Sequence, residues 1–164
     1  MQAAEWLKQP YQKKKTAALF AGIFLLCSIG YILILFLTNS RMKVTDVSGC
    51  RVPDDGTMSC AITGMDDEDG YLTIRGYAYQ PGISVDTART EVLVCDDSGT
   101  YYTLPTENVK RKSLTEAAAD GFNYDYAGFT AVIRHDRVQS GSRIYIRYRC
   151  NGFDLLLKTD QSIS

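Results

Sequence analysis

The chain has 164 residues, 45% of them hydrophobic, and a formal net charge of −1. That length supports one domain with a real core and leaves no room for two large ones. The charge balance turns acidic beyond the first 40 residues, which excludes nucleic acid as an expected partner.

In chain order, the first predicted element is an apolar segment over residues 17–38 with no charge in it. About 20 residues cross the hydrocarbon core, so the segment predicts a transmembrane helix, with residues 1–16 as a cytoplasmic tail. A cleaved signal peptide would have a shorter apolar run and small residues at its end. A lipoprotein cysteine is disfavoured as well, because Leu26 precedes Cys27 and the apolar run continues past it. Lys8, Lys13, Lys14 and Lys15 precede the segment and only Arg41 and Lys43 closely follow, which predicts a cytoplasmic N-terminus and a C-terminal part outside. Trp6, Tyr11 and Tyr31 are candidate interfacial aromatics. Ala18 and Gly22 have the spacing of small residues that lets a second helix approach closely.

Residues 39–56 read as a stalk, and residues 57–164 as an extracytoplasmic β domain. Residues 59–64 and 71–79 flank the acidic run from Met65 to Gly70 and predict a hairpin with an acidic tip. Leu72, Ile74, Gly76 and Ala78 share one face. Residues 90–95 and 100–104 form a second hairpin around Asp96, Asp97, Ser98 and Gly99. Ser113 and Glu116 have capping-box spacing before three alanines, with Gly121 as a stop, so one short helix is expected there. Residues 127–134, 143–150 and 153–158 are the last strands, the final two joined by Asn151 and Gly152. Their alternation nominates Phe129, Ala131, Ile133, Ile144, Ile146, Tyr148, Phe153, Leu155 and Leu157 as core. Arg143, Tyr145, Arg147 and Arg149 then form a basic, aromatic stripe on the opposite face. About seven short strands and one short helix predict an antiparallel β-sandwich, an all-β ectodomain on a single N-terminal transmembrane helix.

Cys50, Cys60, Cys95 and Cys150 lie in the external part, where an even number suits disulfides. Three pairings exist, and Cys50 with Cys60 and Cys95 with Cys150 are the favoured ones. A zinc site is disfavoured because there is no C-x-x-C pair and His135 is the sole histidine. The acidic run from Asp66 to Asp69 fails the calcium-loop pattern, since Met65 and Gly76 would occupy its first and last ligand positions. No metal or cofactor is expected. No catalytic residue is nominated either: His135 sits at a strand end with no nucleophile motif, and the phosphate-loop and zinc-protease signatures are absent.

Tyrosine offers an apolar face with a polar tip, which suits stacking on a sugar or docking a protein. Tyr77, Tyr79, Tyr124 and Tyr126, with Arg147 and Arg149, are the candidate binding residues. The run Lys110, Arg111, Lys112 could receive an anionic polymer.

Ile74, Arg75, Gly76, Tyr77 and Ala78, then Arg111, then Ala127, Gly128 and Phe129 with Ala131 and Ile133, then Gly141, Tyr145 and Ile146, and finally Leu157, Lys158 and Thr159 form an ordered set. In that order the chain resembles small all-β domains that accompany bacterial cell-envelope polysaccharide glycosyltransferases and surface proteins. Lys112 departs from the pattern, where an acidic residue is expected after the basic one. The resemblance implies an accessory or binding role near envelope glycans and transfers no catalytic residue. The expected function is therefore a membrane-anchored, non-enzymatic envelope protein that touches membrane lipid and binds a glycan or partner protein outside. The alternative is an accessory subunit of a transporter or glycosyltransferase, held through the helix.

Overall fold

A charge-free apolar run makes one long helix, and period-two alternation makes the strands that follow. The computed structural model describes residues 13–39, 41–85 and 87–164. Two compact units result, divided after Asn39. Trp6, Lys8 and Tyr11 lie outside the described residues. The first unit is α1, Lys13–Asn39. Its stretch Lys13–Leu37 is long and apolar enough to cross a membrane. The helix starts four residues before the expected span, because lysine is a good helix former and its stem can run along the apolar surface.

The second unit consists of two antiparallel sheets with a core between them. β1 (Lys43–Val44), β5 (Tyr101–Thr103), β4 (Arg89–Cys95), β8 (Arg143–Cys150) and β9 (Phe153–Ser162) form one sheet in the order β1-β5-β4-β8-β9. β2 (Ser59–Glu68), β3 (Tyr71–Tyr79), β7 (Gly128–Arg134) and β6 (Thr106–Val109) form the other in the order β2-β3-β7-β6. There are nine strands among the described residues rather than seven. β1 and β6 are additions, too short and too polar to show alternation.

Leu72, Ile74 and Ala78 of β3, Phe129, Ala131 and Ile133 of β7, Val92 and Val94 of β4, and Ile144, Ile146 and Tyr148 of β8 fill the core, with Leu155 and Leu157 of β9. Eight of the nine nominated residues are buried there. Phe153 is exposed, because it opens β9 beside the turn rather than over the opposite sheet. Two tight turns are as the dipeptides require: Asp69 and Gly70, and Asn151 and Gly152, all have positive φ, matching type I′ hairpins. β2 consequently runs on through Asp66, Asp67 and Glu68. The acidic run is thus strand, not loop, and alternation sends Asp66 to Arg75 on one face and Asp67 to His135 on the other.

The segment expected as a stalk is part of the domain. β1 pairs with β5, and Thr45 N–H donates to the Tyr101 carbonyl. Six residues later Arg51 pairs in parallel with Leu155 of β9, exchanging hydrogen bonds with Asp154 and Leu156 at 2.9 Å each. β4 and β8 lie between these two edges, so residues 45–51 form a strap over the outer face, across roughly 14 Å at ordinary strand spacing. Beneath it Leu93 is 0% exposed, Glu91 8% and Leu156 9%, although all three point away from the core.

The expected helix is α2, Lys112–Ala118, two residues earlier than the capping box implies. Arg111 is its N-cap and makes no side-chain cap bond, so Ser113 lies inside the helix. Ala119, in a left-handed conformation, ends it before Gly121 is reached.

Candidate functional site

Alternation along β3 turns Thr73, Arg75, Tyr77 and Tyr79 out of the four-stranded sheet. The rings of Tyr77 and Tyr79 stack with centroids 5.9 Å apart, and Tyr79 stacks on Tyr124 at 4.2 Å. This ladder runs from an open end into a closed one. Tyr124 is fully buried, with Val85 and Ala127, in a small second core that includes Tyr79, Leu114 and Ala118. Its hydroxyl accepts from Gly82 N–H at 2.7 Å and donates to Asp120 at 2.6 Å. Burial pushes that phenol up from its ordinary value and the Asp120 carboxylate adds to the effect. Tyr124 therefore ties Gly82 and Asp120 to the second core, and of these tyrosines only the half-buried Tyr77 and Tyr79 and the exposed Tyr126 are left to meet a ligand.

Arg111 completes the open end. Its side chain lies over Gly128, where a Cβ would come 2.7 Å from Arg111 Cδ and 2.6 Å from the Val109 carbonyl. Gly128 is directly across from Tyr77 in the β3 and β7 register. The guanidinium continues across β3, where Nη1 donates to the Gly76 carbonyl at 3.4 Å, and reaches β2, where Nη1 donates to Thr63 Oγ1 at 3.3 Å. Among the described residues it forms no ion pair, whereas its neighbours do: Arg75 with Asp66, and Lys110 with Asp125 at 3.5 Å. Lys110 also sits 5.1 Å from the centre of the Tyr126 ring. A hydrogen bond from Thr115 holds the Asp125 carboxyl below its ordinary range, and Lys110 adds to this. The sequence offers Arg111 only as one member of the basic run Lys110, Arg111, Lys112 and does not join it to the tyrosines. The signal was Gly128: a glycine inside a strand marks a close approach, here that of an arginine.

Arg147 and Arg149 are placed differently. Arg147 makes a two-pronged bond to Asp154, at 2.8 and 2.6 Å, beneath the strap. Arg149 reaches Glu91 at 2.7 Å, and Arg89 holds the other oxygen of the same carboxylate. The basic stripe thus points outward as expected, but carboxylates neutralise two of its arginines and the strap crosses it. Tyr145 packs edge-on against Tyr101 in the same layer.

At the far end of β2, β3 and β7 an open depression of about 490 Å³ is lined by Asp69, Gly70, Tyr71, Arg134, His135 and Asp136. His135 Nδ1 contacts the Asp67 carboxylate, and Arg134 pairs with Asp136. An imidazole on a carboxylate is an oriented base. The lining residues add no serine, threonine or cysteine for it to activate.

All the cysteines carry free thiols in this structure, which corrects the expected bridges. Cys95 pairs with Arg143 at one end of β8 and Cys150 ends the same strand, seven residues or roughly 23 Å away at ordinary strand rise. Cys60 packs into the core, while Cys50 contacts Asp154 on the outer face of the other sheet. Each favoured pair would join an inward thiol to an outward one. In α1, Ala18 and Gly22 are exposed, and a Cβ on Gly22 would meet nothing within 4 Å. Among the described residues no three His, Cys, Asp or Glu side chains converge as a metal site.

No protein-family model, curated protein or solved structure matches the chain.

Proposed function

We propose that this is a single-pass envelope protein, anchored by α1 with its N-terminus in the cytoplasm, whose extracytoplasmic β domain binds a glycan or partner protein and performs no chemistry. The orientation rests on the lysines that precede α1 outnumbering the basic residues just after it. One observation carries the binding reading: a guanidinium with no carboxylate partner among the described residues lies beside the open end of a tyrosine ladder, on a sheet face flanked by Lys110 and Tyr126. Aromatic faces bind sugar rings and apolar protein surface, and a fixed cation orients the contact. The resemblance to accessory domains of envelope polysaccharide enzymes points the same way.

The test is binding of the full-length protein in lipid nanodiscs to an array of bacterial surface glycans. Tyr77→Ala should weaken whatever signal is found, while Arg143→Ala, on the other sheet, should leave it. Equal loss in both variants would overturn this placement of the site.

The second reading, an accessory subunit held through its helix, is favoured by the open small-residue face at Ala18 and Gly22. Replacing residues 17–38 by leucines separates the two. A membrane partner lost on that replacement supports the subunit reading, and a partner retained supports the domain.

A further inference from the structure

The sheet face described above also specifies a class of ligand, and this step rests on that face being the binding site. We propose that it takes an acidic sugar, with the sugar's carboxylate on Arg111 and its ring on Tyr77.

Three observations converge on this ligand. First, the guanidinium is pre-positioned: Gly128 lets its stem lie flat on the sheet, and Thr63 and the Gly76 carbonyl hold one nitrogen. A planar fork fixed in this way matches a carboxylate, and little side-chain freedom is left to lose on binding. Second, the stem crosses at the position directly opposite Tyr77. Neighbouring strands lie about 4.8 Å apart, so one sugar residue reaches both the ring and the cation. Third, two of the local acids are already engaged. Asp66 is held by Arg75, and Asp125 by Thr115 and Lys110, which leaves Arg111 and the exposed Lys112 to set the sign of the face. Glu107, exposed on the same face at the β6 edge and opposite Thr130, forms no ion pair among the described residues and opposes an anion. A neutral sugar would stack on Tyr77 without using the guanidinium. An acidic peptide would use the guanidinium without needing the ring.

Full-length protein in phosphatidylcholine nanodiscs is titrated with oligogalacturonate, dextran and polyglutamate. Oligogalacturonate should bind, and more weakly as salt rises. Arg111→Gln should weaken it roughly tenfold or more, as loss of a charge-assisted pair does, with Arg111→Lys recovering only part. Tyr77→Ala should weaken it with an unchanged melting midpoint. Glu107→Gln should tighten it, a gain that no folding defect can mimic. Polyglutamate binding as tightly as oligogalacturonate overturns the proposal in favour of a peptide ligand. Dextran binding equally well overturns the acidic specificity and leaves the glycan site standing. Binding of none of the three, by a protein that melts cooperatively, sinks the proposal; a neutral or protein ligand found on the same face would show that the broader reading survives it.

Discussion

A carboxylate on the outer face of the five-stranded sheet shows how a charged side chain can be structural. Asp154 takes two bonds from Arg147, which hold its carboxyl below the ordinary range, and Cys50 adds a further contact. A depressed folded value means that the ion pair stabilises the domain above the unfolded carboxylate value of about 3.9, and that this stability is lost as pH falls through the folded value. Asp154→Asn is therefore expected to cost about 2 kcal/mol at pH 7, the scale of a charged hydrogen bond. The gap to the wild type should close on acidification below about pH 4, as read from thermal melts over a pH series. A gap that stays constant with pH would mean that Arg147 is not the cause. Cys60 makes a second case at this scale: burial pushes its thiol up to about 11. Alkylation at pH 8 should leave it unmodified in the folded protein and reach it only on unfolding, as peptide mass spectrometry would show. Neither property is visible in sequence. A basic stripe reads the same whether its acids are present on the next strand or not, and Tyr124, between Asn123 and Asp125, reads as solvent-facing until the packing buries it.

The elements that were legible are those whose chemistry is local. β3, β7 and β8 alternate cleanly, and Asn151 with Gly152 dictates the turn into β9. β1 and β6 have two and four residues, too few for a period, and exist because a neighbouring edge offers hydrogen bonds. α2 lies two residues early, and Thr115 inside it bonds Asp125 and accepts from Tyr124 N–H, tying the helix to the loop behind it. Glycines carry a similar long-range message. A Cβ at Gly76 would come 2.5 Å from the Phe129 ring and closer still to the Ala61 carbonyl. Gly76→Ala should therefore cost about 3 kcal/mol by overpacking, measured as a shift in denaturant midpoint. A neutral result would show that β2 and β7 can separate at this point. Gly70, by contrast, has open space and a positive φ, so its constraint is conformational.

The whole molecule is less divisible than its composition suggests. The alternation begins near residue 57, which places a boundary there, but the fold begins at the strap. A soluble fragment of residues 41–164 should melt cooperatively. One of residues 57–164 should lose the cover over Leu93 and Leu156 and expose Glu91, giving a lower midpoint or aggregation. Equal midpoints would show that the strap is dispensable. The candidate site was legible only in part for a related reason. Tyr77 announced itself by residue type, whereas Arg111 became part of the site only when β7 and β2 came to lie on either side of β3.

The strap also decides how the domain meets a mechanical load. With α1 held in a bilayer and a ligand held on the sheet, tension would enter the domain at residue 41, and the first grips it reaches are Met42, packed against the core, with the short β1 pairing, and then the parallel bridge at Arg51. These lie on opposite edges of one sheet, so a pull that strips the two pairs of β1 still meets the bridge at Arg51 and the ion pair of Arg147 with Asp154 beside it. The short pairing at β1 can act as a yielding link, lengthening the tether by a few residues while the tyrosine ladder on the other sheet keeps its shape.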